Sequence, residues 1–111
     1  MKLGDAAVLV MKKQLDTNAD IDAKKYVCKV IKYDTKQAAL YVNLEKDNLE
    51  DISLDAIYEC DVKQEEEFVV CEGRVGERYF NKYGKVIKIE IKNGFYKINV
   101  KSVENKVQNA I

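Results

Sequence analysis

Apolar and polar residues alternate with a period of two along most of this chain. That is the period of a β-strand, whose successive side chains point to opposite faces of a sheet. It is clearest in Val86-Ile87-Lys88-Ile89-Glu90-Ile91-Lys92-Asn93-Gly94-Phe95-Tyr96-Lys97-Ile98-Asn99-Val100-Lys101. Asn-Gly is the preferred pair for a type I′ turn, which needs φ > 0 at both central residues. A hairpin turning at Asn93-Gly94 pairs Ile91 with Tyr96, Ile89 with Ile98 and Ile87 with Val100 on one apolar face. Lys92 with Phe95, Glu90 with Lys97, Lys88 with Asn99 and Val86 with Lys101 fall on the other. A slip by one residue would set a lysine opposite every isoleucine. The pattern predicts an antiparallel sheet buried on one side.

The same reading extends upstream. Ala6 to Met11 is a short apolar run ended by Lys12-Lys13, and Gln14 to Ala23 is a polar loop. Tyr26 to Tyr33 is a strand rich in β-branched and aromatic residues. Asp34 to Gln37 is a turn, since Asp at its first position can accept from the backbone two residues on. Ala39 to Leu44 returns, with Leu40, Val42 and Leu44 on one face. Glu45 to Asp51 is an acidic loop with room for one helical turn. In Ile57 to Val62, Tyr58, Cys60 and Val62 point inward. Gln64 to Glu67 is a charged tip, and Phe68 to Val75 runs back. Gly73 and Gly76 predict a bulge or bend, beyond which Glu77 to Phe80 extends the strand to a turn at Asn81 to Gly84. Val103, Val107 and Ile111 recur at i, i+4, so residues 102–111 are a tail or a short helix. The sum is one domain over 1–111 with its core at about 3–101. Its expected fold is an all-β, small antiparallel split barrel of six to seven strands.

Composition agrees with one such domain: 111 residues, 47% hydrophobic and 34% charged. No apolar run approaches the roughly 18 residues of a membrane span. The first residues, Met-Lys-Leu-Gly-Asp, lack an apolar signal core, so the expected compartment is the cytoplasm. Cys28, Cys60 and Cys71 are odd in number, form no C-x-x-C and lie in apolar runs, which predicts reduced, buried thiols. The chain has no histidine, which removes Ser-His-Asp and Cys-His catalysis.

Net charge is zero, but it is unevenly placed. Residues 23–44 carry five lysines against Asp34, a net +4. Residues 45–67 carry ten acids against Lys46 and Lys63, a net −8. Residues 82–101 carry six lysines against Glu90, a net +5. Blocks of opposite sign can neutralise one another within one barrel or between two copies. A protein partner or a homodimer is therefore expected.

The order of features resembles the N-terminal companion domain of flagellar-brake-type PilZ proteins, the bacterial cyclic di-GMP receptors. Leu3-Gly4-Asp5-Ala6-Ala7-Val8-Leu9 is similar to that domain's opening "G-[DE]-x-V-x-L" phrase. Tyr26-Val27-Cys28-Lys29-Val30-Ile31-Lys32-Tyr33-Asp34 resembles its "Y-x-a-K-V-x-x-x-D" strand. Ser53-Leu54-Asp55-Ala56-Ile57 echoes a later "L-G-D-x-I" phrase, and Phe68 to Arg78 compares with "F-x-x-x-V-x-x-R". The resemblance implies a split barrel in cytoplasmic signalling. In the family a second domain follows, opening on an R-x-x-x-R arm that grips the dinucleotide phosphates. Here Lys101-Ser102-Val103-Glu104-Asn105-Lys106 has no arginine, so the resemblance implies the companion barrel without that nucleotide-binding domain.

Three groups carry candidate chemistry. The only arginines, Arg74 and Arg78, spell R-x-x-x-R and could clamp phosphate as a cyclic dinucleotide receptor does; ion pairing to Glu72 and Glu77 is the structural alternative. Lys88, Lys92, Lys97 and Lys101 form a basic face, with Phe95 and Tyr79 or Tyr83 for stacking, as on a single-stranded nucleic-acid-binding barrel. Lysines on an exposed strand also serve to block edge aggregation, and zero net charge with a pI near 6.3 weighs against nucleic acid, so that partner is not expected. Glu65-Glu66-Glu67 lacks the alternate ligand spacing of a calcium loop and reads as a solvated tip. Tyr58 and Tyr96 are expected inward. Tyr41, Tyr79 and Tyr83 are expected outward, as on an interaction surface. The expected function is a non-enzymatic binding or assembly module, with no cofactor or metal.

Overall fold

The alternating segments become strands. The chain is described by a computed structural model over residues 1–15 and 20–99, with residues 96–99 described by backbone alone. The strands are β1 (Ala6–Gln14), β2 (Lys25–Asp34), β3 (Ala39–Leu44), β4 (Ala56–Gln64), β5 (Glu67–Asn81) and β6 (Gly84–Asn99). A single 3-10 turn among the described residues, Leu49–Asp51, interrupts the β3–β4 crossover, where one helical turn is expected. Glu77 to Phe80 does continue its strand, as predicted, so six strands form.

The strands make two antiparallel meanders, β1-β2-β3 and β4-β5-β6. β1 pairs with β4 and β3 with β6, closing the sheet into a ring in the order β1-β2-β3-β6-β5-β4. The all-β antiparallel barrel is thus as the pattern predicts. Closure leaves the inner faces one place to go. Leu40 and Val42 of β3 meet Ile89 and Ile87 of β6, and Leu9 of β1 meets Cys60 of β4. All six are fully buried. Side chains of this kind contribute about 1.5–3 kcal/mol each on burial, so the core carries the fold. Tyr58 is buried with its hydroxyl satisfied: the Ser53 N–H donates to it at 2.9 Å. At the β2–β3 turn, Asp34 Oδ1 accepts from the N–H groups of Lys36 and Gln37, at 3.0 and 3.2 Å.

The hairpin expected at Asn93-Gly94 does not form. β6 runs straight through this pair, and the last reversal among the described residues is the turn predicted at Asn81 to Gly84. Gly84 takes the left-handed conformation there, with φ +94. Gly94 has no positive φ. Between the pairs Val70 with Tyr96 and Glu72 with Asn93, β6 carries one extra residue, so Asn93-Gly94 serves a bulge. The reason is competition. One favourable turn dipeptide is outweighed by cross-strand pairs of about 0.2–1 kcal/mol each along the whole of β5. Only the inner face of the prediction survives. Ile87 and Ile89 are buried and Ile91 packs against the core, but Ile89 faces Leu40 and Val75, not Ile98. Val100 and the helix or tail at 102–111 lie outside the described residues.

The three thiols are buried, as expected. Cys60 faces Cys71 directly across β4 and β5. Hydrogen bonding to Cys71, with burial, holds the Cys60 thiol well above its usual range. Burial, with Glu45 and Asp47 nearby, pushes Cys28 up to about 12. Cys28 and Cys60 are thus neutral core side chains and not poised thiolates.

Candidate ligand-binding groove

Two bulges shape the outer surface of the barrel. In β2, Cys28 and Val30 point inward against Leu44 and Val42. A register shift between Val30 and Lys32 then inserts Ile31, so Lys32 faces outward beside Tyr41 instead of inward. In β5, Arg74 lies on the outer face opposite Glu90, and Val75 on the inner face opposite Ile89. Gly76 is the extra residue of the next bulge. Beyond it the alternation is reversed: Glu77 and Tyr79 point outward opposite Lys88 and Val86, and Arg78 turns inward.

The outcome is a row on the outer face: Lys32 of β2, Tyr41 of β3, Lys88 of β6 and Glu77 of β5. The Lys32 ammonium lies 4.9 Å from the centre of the Tyr41 ring, and that of Lys88 6.0 Å. Both are cation–π distances. The next row is Asn43, Val86 and Tyr79. Val86 is on the outer face yet only 1% exposed and stands apart from the core cluster. It forms the floor of a groove of about 380 Å³ walled by Tyr41, Tyr79, Tyr83, Lys32 and Lys82, with Leu3 and Ile31 at one end. A hollow of about 150 Å³ shares Leu3, Ile31 and Tyr83 and extends toward Lys29 and Asn43. The Gly4 N–H donates to the Val30 carbonyl at 2.8 Å, and the Val30 N–H to the Asp5 carbonyl at 2.8 Å, which fixes the turn before β1 that brings Leu3 there.

The turn at the groove's edge is held from both sides. Asn81 Oδ1 accepts from the Tyr83 N–H at 2.8 Å, and Asn43 Nδ2 donates to the Tyr83 carbonyl at 2.6 Å. Lys82 lies over the Tyr83 ring at 5.3 Å. Burial, with Tyr41 and Glu77 close by, holds the Tyr79 hydroxyl above its ordinary range, so it stays protonated at neutral pH. Lys32, Lys82 and Lys88 form no ion pair with any described residue. The acidic 45–67 block finds its cations elsewhere: Asp47 with Lys24 at 2.5 Å, Glu45 with Lys29 at 3.3 Å, Asp55 with Arg74 at 3.6 Å and Glu59 with Lys12 at 4.0 Å.

The sequence-derived candidates separate. Lys88 lies by the groove. Lys92 is exposed on β6 outside its lining, the Lys97 side chain is not described, and Lys101 lies outside the described residues. Phe95 packs edge-on against Tyr33, ring centres 4.8 Å apart. Arg74 and Arg78 fall on opposite faces of β5, because the Gly76 bulge intervenes. Both reach the chain's own crossover. Arg74 Nε donates to the Leu54 carbonyl at 3.4 Å. Arg78 Nη1 donates to the carbonyls of Leu49, at 3.1 Å, and Ile52. Glu65 to Glu67 lie with Met1, Lys2 and Asp5 around a separate open hollow of about 540 Å³. Among the described residues no group of three acidic or thiol side chains is placed to hold a metal ion. Tyr41, Tyr79 and Tyr83 face outward as predicted. Lys32 and Lys82 were not singled out by the sequence, since strict alternation puts Lys32 inside and nothing marks the Ile31 bulge.

No protein-family model, curated protein or solved structure matches this chain. Among the described residues no helix is long and apolar enough to cross a membrane.

Proposed function

We propose that this chain is a non-enzymatic binding module that takes an anionic partner on the tyrosine–lysine groove. In this reading it is a barrel of the PilZ-companion kind, serving assembly in a bacterial cytoplasmic signalling system. One observation carries the reading. The barrel interior is filled with apolar side chains, while the organised aromatic and cationic groups converge on the outside, over Val86. A ligand therefore meets the outer wall. Tyrosine supplies contact area at little entropic cost, and unpaired lysines supply attraction for negative charge.

The test is a panel of anionic ligands watched through the ring NMR signals of Tyr41, Tyr79 and Tyr83. The panel holds cyclic di-GMP, single-stranded DNA and an acidic peptide. At least one is expected to move these signals and to raise the melting temperature. Silence of all three rings toward every member would overturn the reading.

A further inference from the structure

We infer that the groove takes single-stranded nucleic acid, an assignment that rests on the reading of this groove as the ligand surface. Three features must be matched at once. Tyr79 and Tyr83 line the groove with two aromatic rings. Lys32, Lys82 and Lys88 form no ion pair with a described residue, and the one carboxylate in their row is Glu77, opposite Lys88. Asn81, at the turn, supplies a polar side chain between them. A single strand brings planar bases and phosphates in alternation, and unstacked bases bind aromatic platforms whatever their sequence. An acidic protein surface brings the charge without a regular alternation of rings and anionic groups. A duplex brings phosphates but hides its base faces.

The geometry also explains why the lysines rest on rings. Stacked on Tyr41 and Tyr83, Lys32, Lys88 and Lys82 are kept beside the groove without a carboxylate that a phosphate would have to displace. Tyr41 then acts as the post for two cations, and Tyr79 and Tyr83 as the stacking faces. A chain of zero net charge lacks the long-range field of a basic domain, so the expected binding is local and modest.

The experiment is fluorescence anisotropy of the full chain with a labelled single-stranded DNA of about 12 nucleotides, a length within the range that such barrels occupy. Saturable binding is expected. With three lysines on phosphates, a fourfold rise in salt should weaken it about 15- to 20-fold. Tyr79→Leu and Tyr83→Leu should each weaken binding about tenfold, the loss of one stacked base. Lys82→Ser should flatten the salt dependence, and Lys63→Ser, on β4, should change nothing. Melting curves show which variants fold, and Tyr83→Leu, in an exposed turn, backs up Tyr79→Leu. Binding that survives both tyrosine variants and Lys82→Ser overturns the inference. So does the absence of binding while an acidic peptide moves the tyrosine signals, an outcome that leaves the groove as a protein-docking surface. A response of those rings to cyclic di-GMP alone overturns this inference but not the reading of the groove, and no response to DNA, peptide or cyclic di-GMP overturns both.

Discussion

Gly73 of β5 lies against the backbone of Glu90 of β6 so closely that a Cβ on Gly73 would sit 2.4 Å from the Glu90 carbonyl oxygen. It would also sit 2.7 Å from Cγ2 of Ile89, a core side chain. Neither neighbour can swing away, since one is strand backbone and the other is locked in the barrel. Gly73→Ala is therefore expected to cost about 3 kcal/mol by overpacking, read as a lower denaturation midpoint. Gly76 tests the argument. The atoms nearest to a Cβ there are those of the Glu90 side chain, Cδ at 2.8 Å and Cγ at 3.1 Å, and that side chain can rotate. Gly76→Ala should cost about 1 kcal/mol or less.

The crossover supplies a second contrast. Arg78 brings a charged donor to the Leu49 and Ile52 carbonyls, whereas Arg74 is exposed and pairs with Asp55 at 3.6 Å. Hydrogen bonds to a charged group contribute about 1.5–3 kcal/mol, and an exposed ion pair about 0–1. Arg78→Met should lower the denaturation midpoint by the equivalent of about 2 kcal/mol. Arg74→Met should be close to neutral. Equal losses would contradict the assignment of Arg78 as the clasp of the crossover.

Asp61 makes stability depend on pH in an unusual direction. One of its oxygens is buried without a hydrogen-bond partner. Burial first, then a hydrogen bond with Glu59 and the charge of Glu59, raise its pKa to about 6, against the lowering influence of Lys12 and Lys25. The folded state therefore binds more protons than the unfolded state between pH about 4 and about 6. The stability from this group is present below pH 4 and is lost as pH rises through 6. Asp61→Asn keeps the shape without the charge. It should be more stable than the wild type at pH 7 by about 1 kcal/mol, after allowance for solvent screening, and the gap should close by pH 4. Thermal melts across that range check both the sign and the window.

The thiols give a fourth prediction. Cys28, Cys60 and Cys71 are all buried, and Cys28 and Cys60 are held protonated. A thiol reagent at pH 8 should label none of them in the native protein within minutes, and all three once the chain is unfolded in denaturant. Fast labelling of Cys60 or Cys71 under native conditions would show that β4 and β5 separate readily.

How much of this was legible beforehand is clearest in single residues. Alternation placed Leu40, Val42 and Leu44 inside, together with Tyr58, Cys60 and Val62, because a one-side-buried strand shows its period in the chain itself. It placed Tyr41 outside for the same reason. Asp34 announced its turn, since the side chain bonds its own backbone nearby. It did not separate the turn at Asn81 to Gly84 from the attractive pair at Asn93-Gly94. Local preference is similar at both, and the choice belongs to the partner strand.

The sequence by itself determined the class: period-two alternation, β-branched runs and turn residues admit only an antiparallel β-domain. It also determined which face of most strands is buried. Gly73 and Gly76 also marked the bend in β5, whereas tertiary structure alone decided the register of β6, the closure of β1 on β4 and the bulge at Ile31. A bulge shifts alternation by one residue, and its cost and benefit depend on what lies across the ladder. That shift sends Arg78 to the crossover, turns Tyr79 and Lys32 outward, and parts the two arginines that stand four residues apart in the chain. The groove exists because two pairs of strands distant in sequence, β2–β3 and β5–β6, bring Lys32, Tyr41 and Tyr79 around Val86, a long-range contact that no local pattern encodes.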